Sequence, residues 1–396
     1  VSRPARTDVV VVGAGIIGAA CAYQLARAGA RVTVLDGGPI AGGTSSAGEG
    51  NLLVSDKLPG PELELALGSL RRWWELGDQL GAGTIELERK GGLMVAGSEP
   101  ARERVGALAA DQRAAGVTVI ELAGDQLADY EPRLAGGLAG GAHYPQDAQL
   151  QPMLATAHLL RGLDVRCGSR VRAIETDGRG RVRGVRIGSV LVRADAVVNA
   201  TGVAAGELAA TVGTRLPIQP RRGFILVTAP LAAPGEPGPI RHKVYAADYL
   251  SAVASDAAGL ASSPVVEGTR AGTVLIGSSR ERVGFDPAYP LPVLRRIARE
   301  AVALFPFLAA VPVLRAYRGF RPYTPDHLPV IGPDPRVAGL WHACGHEGAG
   351  IGLAPGTGAL IAAMVTGGDP ELDPAPFAPA RFGGDLPPGR AATVDR

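Results

Sequence analysis

The chain has 396 residues, of which 46% are hydrophobic and 20% charged, with a formal net charge of +2. These are globular values, and the length suits two domains or one domain carrying an insertion; the small charge gives no reason to expect nucleic acid. Three distant cysteines, Cys21, Cys167 and Cys344, lack any CxxC spacing, so neither a metal site nor a disulfide framework is expected, and a reducing, cytoplasmic setting fits, with peripheral membrane association left open.

Residues 8–12 are an apolar, β-branched run, residues 16–28 have helical periodicity ending at Gly29, and residues 31–35 read as a second strand. Between the first strand and the helix, Gly13, Gly15 and Gly18 spell G-x-G-x-x-G, with Ile17 inside it. Such glycines serve a tight turn, close approach of a pyrophosphate, and helix-on-strand packing, while the helix N-terminus faces the phosphates. Asp36 ends the second strand where a carboxylate accepts ribose hydroxyls. A basic start, an apolar run and small residues before Cys21 also resemble an export signal, but Asp8 interrupts it and strand, turn and helix account for every residue.

Next comes a Gly/Ser loop, GGTSSAGEGN, with Gly43, Thr44, Ser45, Ser46, Gly48 and Asn51 placed to continue along a dinucleotide. Residues 62–80 and 99–115 look helical, with a strand in KGGLMVAG between them, and residues 135–151 show little beyond Gly/Pro punctuation. A meander follows, from which Val171 is a candidate cofactor contact, then a buried strand at 196–200 that stops at Ala200, Thr201 and Gly202. Strand-rich sequence resumes over 221–279, a helix is expected over 293–305, and GFRPYTPDHLPVIG and AGLWHACG lead into GHEGAGIGLAPGTG. The uncharged stretch 348–368 is interrupted by glycine and proline, so its continuous helix, expected from about 356 to 366, is too short to cross a membrane. These glycines either receive a ligand, at Gly348, Gly350, Ile351 and Gly352, or pad a helix crossing.

NAD and FAD share the N-terminal fingerprint. The Gly/Ser loop, the NATG turn and the second glycine cluster favour FAD. In the order in which they occur, DVVVVGAGIIGAACAYQLARAGARVTVLD, GGTSSAGEG, VVNATG, GFRPYTPDHLPVIG and GHEGAGIGLAPGTG resemble the D-amino-acid oxidase superfamily of FAD-dependent amine oxidases and dehydrogenases, up to about Asp373. Within it, GHEGAGIGLAP is similar to D-hydroxyproline and D-proline dehydrogenase β-subunit-like proteins. The resemblance implies an α/β, two-domain fold with a Rossmann-like FAD-binding domain, residues 1–85, 145–218 and 316–380, and a β-rich substrate domain, residues 86–144 and 219–315, before a tail at 381–396.

It also implies oxidation of a small amino acid, D-configured or a secondary cyclic amine, with oxygen, a quinone or a protein as electron acceptor, and a homo-oligomer or a hetero-oligomer with other dehydrogenase subunits; the alternatives are a sarcosine or glycine oxidase, a 2-hydroxy-acid dehydrogenase, or a flavin-carrying electron-transfer or assembly subunit with no substrate of its own. Arg321 matches the family's carboxylate-binding arginine, with Tyr323 two residues on. Tyr245 and Tyr249 either close the pocket or pack in a core, and Arg222 supports the domain junction. After His346, Glu347 and Gly348 stand where glycine oxidase carries an aromatic and a basic residue. Glu347 either pairs with the substrate ammonium or is solvated or paired to an arginine. No cysteine lies in GFRPYTPD, the segment that bears the flavin linkage in monomeric sarcosine oxidases, so non-covalent FAD is expected.

Overall fold

A computed structural model of the chain describes residues 8–249 and 255–383. Two sheets organise them. The first has six strands in the order Val330–Pro333, Leu340–Cys344, Ala196–Asn199, Asp8–Val12, Arg31–Leu35, Asp164–Arg166, parallel throughout except for the first pair. Its central strand is apolar because both faces are covered. Val9 and Val11 pack among helices including Ile16–Arg27 and Gly350–Thr366, whereas Val10 and Val12 turn the other way, onto an antiparallel meander of Ala173–Thr176, Val182–Ile187 and Val190–Arg193.

The second sheet has eight strands, ordered Val313–Tyr323, Gln219–Thr228, Val274–Arg280, Ala261–Gly268, Lys243–Ala246, Gly92–Ala96, Gly140–Tyr144, Ile120–Ala123. On one face Phe224, Leu226, Val266 and Ile276 pack against Ile297, Ala301 and Leu304 of the amphipathic helix Leu291–Leu304. The opposite face carries Arg221, Gly223 and Ile225, directly across from Arg321, Gly319 and Tyr317. Two facing glycines leave a gap on that face. A Cβ on Gly319 would stand 2.7 Å from the Cβ of Ala47, and one on Gly223 would overlap the Arg321 guanidinium.

Several elements differ from the sequence reading. Residues 135–151 contain the strands Gly140–Tyr144 and Ala148–Gln149, hidden in the sequence because Gly140 and Gly141 are there for close contact, each lying against the backbone of a neighbouring strand. Strand Val313–Tyr323 belongs wholly to the eight-stranded sheet, past the boundary expected at 316. Among the described residues of the 242–255 stretch, Lys243–Ala246 alone are strand; 250–254 lie outside the described residues, as do the start of the chain and 384–396 of the expected tail. The last helix begins at Gly350 and runs through Pro355 to Thr366. Among the described residues no helix is long and apolar enough to cross a membrane.

Candidate active site

A cavity of about 520 Å³ runs between the two sheets. At one end stand Gly13, Gly15, Asp36, Val171, Ala200, Thr201 and Gly202; at the other, Tyr249, Arg321, His346, Glu347, Gly348, Gly350 and Ile351; Ile17, Gly43, Thr44, Ser45, Gly48 and Asn51 also line it. Residues near in space but 300 apart in sequence thus share one wall.

The glycine turn is built as its motif requires. Gly13 has φ +114°, and a Cβ there would run into the Ala200 carbonyl, while one on Gly18 would overlap the Gly13 carbonyl. A Cβ on Gly15 would meet within 4 Å only Ser45 Oγ, at 3.1 Å, because it faces open cavity. Asp36 turns its carboxylate inward, where Oδ2 accepts from the Ala14 N–H at 2.7 Å and Oδ1 from Gly38 N–H at 2.7 Å. The helix Gly350–Thr366 has no side-chain cap, whereas at the helix Ile16–Arg27 the first N–H, of Ile16, donates to Ser45 Oγ at 2.9 Å; Ile16, Gly350 and Ile351 line the cavity. Both therefore aim a partly positive N-terminus into the cavity's surroundings, which suits an anionic or electron-rich ligand.

The two expectations for GHEGAGIGLAPGTG divide along the segment. Gly348 and Gly350 border the cavity. Gly356 and Gly358 are packing glycines: a Cβ on Gly356 would overlap Ser69 Oγ and crowd Leu65, and one on Gly358 would sit 2.5 Å from the Ala20 carbonyl. Gly352 is off the cavity wall and faces the backbone of Asn51 and Leu52 instead, at 3.5 Å and beyond.

Ser46, Gly18, Tyr245 and Tyr323 also lie off the wall. Tyr245 is fully buried, with its ring 5.6 Å from that of Tyr249, so of the pair only Tyr249 reaches the cavity. Tyr323 turns away from the cavity and donates to Asp256 Oδ1 at 2.7 Å. Arg222 pairs with Glu281 and Asp286, and His342 with Asp334, as structural groups.

Arg321 is on the wall. Its Nη1 donates to the Ser279 carbonyl at 2.9 Å, and among the described residues no carboxylate lies within ion-pairing distance of it. Enclosure in the protein, then neighbouring Arg280, pulls its pKa down to about 10, which is the signature of a cation short of negative charge. Arg280 itself is buried, its guanidinium 5.1 Å from the Tyr249 ring.

His346 is buried, and burial pushes it down to about 3, so the ring is neutral. The Thr357 hydroxyl already donates to the Leu353 carbonyl at 2.9 Å, so His346 Nε2, 2.9 Å from Thr357 Oγ1, must carry the proton. Its Nδ1 is then an acceptor without a partner among the described residues. Glu347 has both carboxylate oxygens engaged: Oε2 faces Arg221 Nη1 at 3.3 Å and Oε1 faces His327 Nδ1 at 3.0 Å. The arginine pairing anticipated as one alternative is therefore present, while the residue still borders the cavity. Arg221, His327 and Asp256 are absent from the sequence reading. Their only sequence signal is that His327 sits inside the TPDHLP stretch beside Arg321.

The residues fit an elongated dinucleotide: a glycine turn open to the cavity, two helix N-termini beside it and, among the described residues, a His346 acceptor without a protein partner. No cluster of His, Cys, Asp and Glu suited to a metal occurs among the described residues.

Comparison with known proteins defines the class. Residues 8–364 match the family model described as FAD dependent oxidoreductase, DAO, and the chain belongs to that family. It is 30% identical to glycine oxidase of Pseudomonas putida over 94% of this chain and 98% of that protein. It is 28% identical to D-amino acid dehydrogenase of Xanthobacter autotrophicus over 94% and 99%. The crystal structure of glycine oxidase from Geobacillus kaustophilus superposes with a TM-score of 0.84 at 28% identity, covering 95% of this chain and 99% of that one. The chain is a FAD-dependent oxidoreductase.

Proposed function

We propose that this protein oxidises a small α-amino acid, D-configured or a secondary cyclic amine of the proline type, to the imine. The observation that carries the reading is Arg321, a cation on the cavity wall with no carboxylate partner among the described residues. A substrate carboxylate would supply the missing charge, and the planar guanidinium fork would fix its direction. Kinship with glycine oxidase and D-amino acid dehydrogenase supports the amine as the group oxidised.

FAD, when bound, supplies the hydride acceptor. Arg321 orients the substrate's Cα–H, Tyr249 covers the pocket beside it, and Glu347 stands where it can meet the ammonium. The uncapped N-terminus of Gly350–Thr366 favours negative charge building at the cavity's end. Oxygen, a quinone or a protein then takes the electrons, and the unpaired cysteines suit a reducing, cytoplasmic setting.

Anaerobic flavin bleaching across D- and L-amino acids, N-methyl amino acids and 2-hydroxy acids tests the substrate class. Arg321→Ala is expected to lose about 2–5 kcal/mol of transition-state stabilisation in kcat/KM, and Arg321→Lys less. A variant reduced by the acid as fast as wild type, at as low a concentration, would move the carboxylate site elsewhere.

A further inference from the structure

Oxidising an α-amino acid releases a proton as well as a hydride. The ammonium N–H must break first, its electron pair staying on nitrogen; the Cα–H pair then leaves as hydride to the FAD, and the iminium remains. One proton per turnover thus has to leave an enclosed site.

A hydrogen-bonded chain runs from the cavity to the surface. Glu347, on the wall, places Oε1 3.0 Å from His327 Nδ1, and the other ring nitrogen, Nε2, is 3.2 Å from Asp256 Oδ1. Side-chain exposure climbs along it, from 11% at Glu347 through 25% at His327 to 73% at Asp256. Both Glu347 and His327 hold left-handed backbone, φ +44° and +59°, a strained conformation for side chains of their size that is found where function over-determines geometry.

We propose that Glu347, His327 and Asp256 carry the substrate's ammonium proton out of the cavity to water. This rests on the amine-oxidising reading above. The proton passes from nitrogen to the Glu347 carboxylate, then to Nδ1 of neutral His327 as the Nε2 proton leaves to Asp256 and water. The partly exposed imidazole re-equilibrates with solvent before the next turnover.

The surroundings suit a relay. Arg221 holds Glu347 from the Gln219–Thr228 strand, Tyr323 donates to Asp256, and Arg282 lies 4.7 Å from the Tyr323 ring and acts on Asp256. Glu62 acts on Glu347 and His327 from the helix Pro61–Leu80, and Asp326, next to His327, is tied to Arg381. Hydrogen bonding to Glu347, against burial and with help from Asp256, raises the His327 pKa. Glu49, another carboxylate on the wall, has no such outlet through its ion pairs, since Lys243 and, through Lys243, Glu267 are closed in.

The test uses FAD-loaded wild type, His327→Gln and Asp256→Asn, with anaerobic flavin reduction by an oxidisable amino acid followed against pH. Binding of 2-aminoisobutyrate, an amino acid without a Cα–H, is read in parallel from the flavin spectrum. His327→Gln is expected to slow limiting reduction about ten-fold where the substrate is an ammonium, to bind 2-aminoisobutyrate as wild type does, and to regain rate as imidazole is added. Its deficit should fade at high pH, where the amine arrives deprotonated, and Asp256→Asn should lose less, with the same rescue. Wild-type rates at all pH values in both variants, or a deficit that neither pH nor imidazole relieves, would overturn the relay. Failure of every amino acid to reduce the wild-type flavin would instead remove the amine reading itself.

Discussion

Gly15 and Gly18 are glycine for different reasons, and replacing each should fail differently. A side chain on Gly15 would project into open cavity, so Gly15→Val is expected to fold but to lose FAD; one on Gly18 would overlap the Gly13 carbonyl, so Gly18→Val is expected to lose folded structure as well. Flavin absorbance per chain together with far-ultraviolet circular dichroism separates the two outcomes, and stoichiometric FAD in Gly15→Val would contradict the cradle. The His327 latch gives a pH dependence with a definite sign. Its pKa is raised in the folded state, so the stability it contributes is fully present below the ordinary 6.5 and is lost as pH rises through the raised value. His327→Asn should flatten the fall of Tm with rising pH across that window, and an unchanged slope would show the latch to be idle. At this scale the sequence reveals residues whose reason is local, such as the glycine turn and Asp36, while Arg321 is reached only through the family resemblance. His327 escapes it because its partners, Asp256 and Glu347, come from separate loops 71 and 20 residues away.

The C-terminal helix shows why an element can outrun its sequence signals. Pro355 cannot donate to the Ile351 carbonyl four residues back, which is why the sequence places the start of continuous helix after it. Instead the Trp73 indole N–H donates to that carbonyl at 3.0 Å, from the middle of Pro61–Leu80, and Ser69 Oγ accepts from Gly356 N–H at 3.0 Å. A neighbouring helix thus satisfies what the proline leaves open, and the uncapped first turn at Gly350 is held in place beside the cavity. Trp73 is fully buried, so Trp73→Phe would leave the carbonyl unsatisfied at a cost of about 1–3 kcal/mol, plus the volume removed. The urea midpoint should fall by that amount with its slope unchanged, and flavin should dissociate more readily. An unaltered midpoint would mean that water replaces the indole.

At the scale of the whole molecule, the cavity is also a seam. Its wall takes Gly13, Ala200 and Ala343 from the strands and turns of the six-stranded sheet, and Gly223, Ile225, Ser278, Gly319 and Arg321 from the eight-stranded one. Between the sheets, the loop at 44–51 is pinned to the second sheet by Thr44 Oγ1 donating to the Phe320 carbonyl at 2.7 Å, Tyr317 hydroxyl to the Gly48 carbonyl at 3.3 Å, and Lys243 to Glu49 at 3.2 Å, and Arg221 of that sheet meets Glu347 at 3.3 Å. The sequence shows the interleaving of the chain, but this seam is composed of backbone carbonyls and facing glycines, which carry no pattern. A ligand filling the cavity binds the folded arrangement and not the unfolded chain, so FAD should stabilise it by mass action, about 2.7 kcal/mol at free FAD a hundred-fold above its Kd. With no cysteine in GFRPYTPD, acid precipitation should leave the flavin in the supernatant, and gentler removal at high bromide should yield an apoprotein that can be reloaded. Thermal melts of apoprotein against rising FAD are expected to show a Tm that climbs continuously with concentration, because the linkage has no ceiling once the site is saturated. A Tm that does not move with FAD, although flavin demonstrably binds, would mean that the two sheets are held together without it and that the seam is complete in the protein alone.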